Sequence, residues 1–496
     1  MIGTVKIYLT VLGLTGILLS PWPAAASSPA PAAEPSLVRL HVTYQETDYS
    51  SPWKQRREDS RSGYGCVVSP GRILTTADIV KDATMIKVEK RRDKRYYQGR
   101  IEVIDYDVDL ALLSVDDDSF FADLHPIELE ERVEVGQPVQ VLIFEEPDRI
   151  RSLPGTIVKV SVEHYYLGVE RFLTFGAAVN FEDRGGGWSE AVISEGKLAG
   201  LMMTYDGQRQ YAVIIPAAII SRFLAAAGSE GYSGFAHEGF SGTDTLAPAL
   251  REFLRIPDGA GGVYVTDVYP RGSAAGVLRP GDVLLEIDGR PLDAEGYYED
   301  PLWGPLEYRD LITRFYRPGD RVELKLIREE EELQVEMELR RWLLSDYLVP
   351  PYSCGFSTRY LIFGGAIIQE LTLDYLKEWG GQWRQRANKK LFYQYYHNLR
   401  RPLPGRKRIV LLNRVLPHEI NLGYQGLEDL VLAEVNGRPI SQIGDVAEAL
   451  GFPEGGFHRF VFEEFGREIV FPAEGLEEAD RQISLQYGIP RMRLLE

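Results

Sequence analysis

What most constrains this chain is a succession of short runs between residue 37 and about residue 215: LVRLHVTY, TMIKVEK, DLALLSV, PVQVLIF, GTIVKVSV and QYAVIIP. They are largely β-branched, mostly alternate apolar with polar positions, and are punctuated by Gly and Pro. A period of two puts one face of a strand in a core and the other in water. Many such strands in succession predict a sandwich or a barrel. AAIISRFLAAAG follows and reads as a helix, with Gly228 at its end.

Further along, LLEIDGRPL begins at Leu284 and LAEVNGRPI at Leu432. In each, a strand runs into an Asp-Gly or Asn-Gly pair, the residues that favour a two-residue hairpin. The same nine-residue pattern twice predicts two copies of one small module. With 496 residues in all, three or four units are expected.

Charge narrows the partners. The formal net charge of −18 argues against nucleic acid or an anionic membrane as a general partner. Lys6 precedes an apolar run, Ile7 to Leu19, and then SPWPAAASSPAPAAEP. The run is short of the roughly 20 residues that span a bilayer. Residues 1–26 therefore read as a cleaved leader and 27–36 as a linker, with no membrane span left afterwards. That predicts an exported protein, periplasmic or extracellular in a bacterial envelope. With Cys66 and Cys354 as the only cysteines, it folds without a disulfide framework. No Cys/His cluster has metal-ligand spacing and no dinucleotide fingerprint is present, so neither metal nor cofactor is expected.

GYGCVVSPGRILTTADIV, IDYDVDLALLSV and GAAVNFEDRGGGWSEAVISEGKLAGLMMTYDG, in that order and spacing, resemble the HtrA/Deg family of exported trypsin-like serine peptidases. GYSGFA and VYVTDVYPRGSAAGVLRPGDVLLEIDGRPL resemble its PDZ domain. YLIFGGAIIQELTLDYL, IVLLNRVLPHEINLGYQGLEDLVLAEVNGRPI and RQISLQYGIPRMRLLE resemble a second, divergent PDZ-like domain of some members, especially plant ones. The resemblance implies a mostly β chain: a trypsin-like double β-barrel (37–228), a PDZ domain (231–340) and a divergent PDZ-like domain (346–496). It also implies a homo-oligomer, a trimer built through the protease-like part.

In such peptidases the first element carries a histidine, the second an aspartate and the third the serine. Here Asp109 matches the aspartate, but Asp78 stands where the histidine belongs. Serine catalysis needs a hydroxyl, a base in reach of it and a group orienting that base. An ordinary aspartate lies about 2.6 pKa units below histidine, a deficit of roughly 3.5 kcal/mol as a base, and is shorter than an imidazole. The nucleophile position depends on register: Gly185 if the glycines are matched, Arg184 if the strand is read forward, Ser189 if it is aligned backward from GKLAG, with Gly187 then offering an oxyanion-hole amide. None of the seven histidines lies in the three elements. The expected outcome is a pseudoprotease. The competing reading is an active serine endopeptidase using Ser189 with an atypical base. Structurally, Asp78 is expected to cap the helical turn DIVKDA, and Asp109 to be a strand-start carboxylate held by backbone amides.

The peptide-binding loop looks intact. By the resemblance, Tyr232, Ser233, Gly234 and Phe235 match the loop whose amides hold a terminal carboxylate while a peptide adds to a sheet edge. Expected partners are therefore protein C-termini or unfolded polypeptides, and active relatives whose work this chain regulates. A purely structural protein with closed PDZ grooves is the third reading. Two segments have no place in that scheme. The insertion LDAEGYYEDPLWGPLEYRD, with Tyr297, Tyr298 and Trp303, reads as an inter-domain packing surface. Residues 381–410 hold nine Lys/Arg and no Asp/Glu, and read as a surface that docks on acidic neighbouring domains.

Overall fold

The computed structural model describes residues 36–91, 93, 95–145, 149–180, 188–228, 231–355, 358–401, 403–464 and 466–495. The expected leader and most of the linker lie outside them, as do Arg184, Gly185 and Gly187.

The alternating runs form two closed barrels. The first comprises β1 (Leu37–Tyr44), β2 (Asp59–Ser69), β3 (Arg72–Thr75), β4 (Ala83–Lys90), β5 (Tyr96–Asp105) and β6 (Leu110–Val115), with a single-turn helix α1 (Ala77–Val80) after β3. The second comprises β7 (Pro138–Glu145), β8 (Arg149–His164), β9 (Arg171–Val179), β10 (Ala191–Ser194), β11 (Lys197–Asp206) and β12 (Tyr211–Pro216). Their strand orders are β1-β2-β3-β6-β5-β4 and β10-β11-β12-β9-β8-β7. Closure leaves no unpaired sheet edge in either.

Helix α2 (Ala217–Ala226) follows. It stops at Ala227, and Gly228 is already in a two-residue strand, β13 (Ala227–Gly228), pairing β14 (Gly231–Tyr232). The third unit holds β15 (Phe240–Thr243), α3 (Pro248–Phe253), β16 (Val263–Val268), β17 (Val283–Ile287), β18 (Arg290–Pro291), the hairpin β19 (Tyr297–Asp300) and β20 (Gly304–Glu307), α4 (Arg309–Phe315), β21 (Arg321–Arg328) and β22 (Glu331–Glu338). Its sheet runs β15-β16-β17-β21-β22, leaving β15 at an edge.

The last unit holds β23 (Tyr360–Phe363), β24 (Ala366–Glu370), α5 (Leu373–Lys377), α6 (Trp383–Arg386), α7 (Lys389–Asn398), β25 (Val410–Val415), β26 (Leu430–Val435), β27 (Arg438–Pro439), α8 (Ile443–Ala449), β28 (Phe457–Phe462), β29 (Glu468–Pro472), α9 (Leu476–Tyr487) and β30 (Arg493–Leu494), with sheet order β29-β28-β26-β25-β24-β23-β30. The repeated sequence is a repeated hairpin. β17 pairs β18 through Asp288-Gly289 and β26 pairs β27 through Asn436-Gly437. All four turn residues have φ between 45° and 69°, as a type I′ turn requires.

One apolar core runs from the barrels into the third unit, joining Val141, Phe175 and Phe223 to Val265, Leu311 and Leu326. The last unit has a separate core around Leu361, Leu412, Val446 and Phe460. The aromatic insertion forms the β19–β20 hairpin and packs between domains as expected. Trp303 Nε1 donates to Val133 O at 2.7 Å and its ring meets Phe175 edge to face. The segment between β1 and β2 reaches the last unit: Gln369 and Asn413 both donate to Tyr49 O, at 3.1 and 3.0 Å.

Candidate functional site

At the junction of the barrels, β3 ends at Thr75, Thr76 follows, and α1 carries Asp78 beyond it. Thr76 is the N-cap of α1, and its hydroxyl is given away to Trp188 O at 2.7 Å. Asp78 is therefore not the cap that the sequence suggested. It sits in the first turn, where a carboxylate also suits the helix N-terminus, and its Oδ1 pairs with Lys81 Nζ at 2.7 Å. Both side chains are largely covered. Burial works against the Lys81 charge, but Asp78 beside it more than compensates and holds the ammonium well above its usual range.

Asp109 opens β6. It is 1% exposed, has φ of 51°, accepts the Asp78 N–H on Oδ1 at 2.8 Å, and receives the Ala77 N–H on its backbone oxygen at 3.1 Å. Its Oδ2 has no hydrogen-bond partner. Burial first, and the Asp78 charge second, push the Asp109 carboxyl well above the usual range. It is held by a backbone amide, as the sequence suggested.

Ser189 is also 1% exposed. Its Oγ accepts the Tyr64 N–H from β2 at 2.7 Å, and its own N–H donates to Glu190 Oε2 at 3.1 Å. That hydroxyl is built into the barrel junction rather than presented to a cleft. The histidines find partners elsewhere. His41 pairs with Glu89, His237 with Glu170 and His418 with Gln482, while His458 meets Asn436 and His164 meets the Val169 carbonyl. Chemically, the site offers a carboxylate paired with a lysine, a buried carboxyl whose protonated form is favoured, and a fixed serine.

The four loop residues meant for a peptide carboxylate are placed otherwise. Tyr232 OH donates to Asp105 Oδ2 at 2.5 Å beneath the Arg341 guanidinium, and Ser233 N–H donates to Ala226 O at 3.1 Å. Gly234, at φ of 75°, leaves room for Arg341, whose Nε lies 2.3 Å from where a Cβ would stand. Phe235 meets Phe172 of the second barrel edge to face. Residue type alone could not reveal that this loop packs on the barrels. A cavity of about 870 Å³ instead lies along the β15 edge, lined by Gly242, Thr243, Tyr308 and Arg309 on one side and by β8 on the other. None of the four lines it. Arg309, at the start of α4, pairs with Glu238 and Glu307, and Glu307 pairs with Arg171 of β9 at 2.7 Å.

A polar hub missing from the sequence reading ties the units together. Glu170, buried at the turn before β9, contacts His237 Nε2 at 2.6 Å and pairs with Arg400 from the last unit, while Tyr347 OH donates to it at 3.0 Å. Burial drives the Glu170 carboxyl up, but Arg400 and then His237 overcome it and leave it well below the usual range. Arg401 reaches Asp267 at 2.7 Å. The basic stretch therefore does dock on acids of neighbouring units. Among the described residues no group of three or more His, Cys, Asp or Glu could hold a metal ion, and no helix is long and apolar enough to cross a membrane.

Comparison with known proteins fits this architecture. A family model described as a PDZ domain matches residues 349–494. Protease Do-like 2, chloroplastic, of Arabidopsis thaliana is 28% identical over 465 residues, covering 92% of this chain and 74% of that protein. The same organism's putative protease Do-like 3, mitochondrial, is 26% identical over 409 residues, covering 81% and 69%. Among solved structures, an HtrA-type protease, AlgW, with a decapeptide aligns over 63% of this chain and 97% of its own, at 21% identity and a TM-score of 0.48.

Proposed function

The chain belongs to the HtrA/Deg family, and from that premise we propose that it is a member that binds polypeptides without cutting them. One observation carries the reading: Asp78, at the base position, spends its carboxylate on Lys81 at 2.7 Å. A carboxylate so paired, with no imidazole beside it, cannot take a proton from a hydroxyl at neutral pH. Loss of the base alone reduces serine-peptidase turnover by on the order of a million-fold. Ser189 supports the same conclusion, because its Oγ is already an acceptor for a buried backbone amide.

Binding falls to the third unit. β15 is a sheet edge that borders a cavity beside α4. That is the arrangement in which an extended peptide adds as a further strand. The ligand would be a protein C-terminus or an unfolded segment. In this reading the protein serves as a chaperone-like scaffold or regulates active relatives, in an exported compartment and as a trimer. A second reading has one observation in its favour: Arg309 stands at that groove and pairs with Glu238 and Glu307, and Glu307 in turn pairs with Arg171 of the barrel. A groove closed in this way makes the protein structural.

The intact chain tests both. With denatured casein and a fluorophosphonate probe, no cleavage and no labelling are expected. Labelling or cleavage by the unaltered chain that Ser189→Ala abolishes would overturn the reading. A library of C-terminal peptides is expected to yield ligands that protect β15 amides from exchange. If none binds, the structural reading replaces the scaffold.

A further inference from the structure

The sheet of the last unit is finished by a strand from the far end of its own sequence. β30 runs antiparallel to β23, with Tyr360 opposite Leu494 and Leu361 opposite Arg493. Ile362 N–H donates to Met492 O at 2.7 Å, and Tyr360 OH to Arg491 O at 2.9 Å. β24 occupies the other side of β23, so without β30 the β23 backbone would be an open edge.

Side chains of the segment alternate as in a bound strand. Met492 and Leu494 pack with Tyr360, Ile362 and Ile483. Leu495 turns to the opposite face, onto the core formed by Leu361 of β23 with Ile443 and Val446 of α8. A strand added at a sheet edge, with an aliphatic residue set beside a helix, is how modules of this kind take an extended peptide. Here the occupant belongs to the chain itself.

We propose that Arg491–Leu495 is a built-in ligand that keeps the β23 edge closed to outside strands. Its hold is weak by construction. The ladder is two residues long, Leu494 and Leu495 are only half-buried, and Arg491 and Arg493 are exposed. An outside peptide that displaces it must be extended, run antiparallel to β23 and carry a large aliphatic side chain where Leu495 sits. An internal occupant lowers the apparent affinity for such a peptide by the fraction of time the edge is open. The inference rests on the last unit alone, and so is independent of the reading of the β15 groove.

The test uses a dye-labelled synthetic peptide of residues 489–496 and three proteins: the unaltered chain, a variant lacking residues 491–496, and full-length Leu494→Pro, which has no N–H to give the ladder. Both variants are expected to bind at least about tenfold more tightly than the unaltered chain. A peptide with Asp in place of Leu495 is expected to bind neither. Equal affinity for all three proteins overturns the proposal, as does failure of both variants to bind while keeping the circular dichroism of the unaltered chain. Should a variant lose that spectrum, the unaltered chain decides with a photoreactive form of the peptide in excess. Crosslinks on β23 or α8 support displacement of the internal strand, and their absence there overturns it.

Discussion

The Asp78 amide donates to Asp109 Oδ1 at 2.8 Å. The two residues are therefore coupled through a backbone N–H and an acid, while the Asp78 side chain faces Lys81. In a working hydrolase the base would be oriented through its side chain. This pair ties the first turn of α1 to the start of β6 at the barrel junction.

Burial and the Asp78 charge both favour the protonated form of the Asp109 carboxyl, and asparagine resembles that form in shape and hydrogen bonding. Asparagine still accepts the Asp78 N–H and tolerates a φ of 51°. Asp109→Asn is expected to lower stability in urea unfolding at pH 7 by less than Asp109→Ala does, because it keeps an acceptor for the buried amide. Asp109→Ala strands the amide in a buried site and is expected to cost about 1–3 kcal/mol.

Arg400 is the buried cation that neutralises Glu170. Removing one partner of a buried ion pair typically costs about 3–5 kcal/mol, much of it for the charge left behind. Arg400→Met should lower stability by that order. Pairing it with Glu170→Gln should recover a substantial part, and a double-mutant cycle in urea measures the coupling.

Asp480 accepts the Gly364 N–H at 2.7 Å, close to the β23–β24 turn. Burial pushes its carboxyl up to about 6, while the Gly364 amide and then His418 pull it back. A carboxyl raised on folding keeps its proton in the folded chain after the unfolded chain has released it. Stability therefore falls as pH rises from about 4 to about 6 and levels off above. Asp480→Asn removes that fall, because the amide never ionises. The melting-temperature difference between Asp480→Asn and the unaltered chain should be smallest near pH 4, grow through pH 6 and then hold constant.

Much of the fold was legible because its signals are short-range. Alternation over five to eight residues marks the barrel strands, and Asp288-Gly289 with Asn436-Gly437 marks the two matching hairpins. The lysine facing Asp78 was legible in principle, three residues along at the spacing that brings helix side chains together. The fate of Tyr232 to Phe235 was not. Those residues suit a ligand loop and an inter-domain joint equally well, and the contacts that decide between them come from Asp105, Phe172 and Arg341, more than 60 residues away in each case.

The sequence by itself determined the shortage of imidazole, since a census of residue types against motif positions needs no geometry. It also determined the strand-rich class, because side-chain period is a local property of the backbone. Only the tertiary structure decided what the leftover groups do: that Asp109 is a buried acid, that Ser189 serves a backbone amide, that Glu170 binds Arg400, and that Arg491–Leu495 closes the β23 edge. Each of these depends on two segments meeting across a long stretch of chain, and burial and charge act on whatever the fold brings together, whatever lies beside it in sequence.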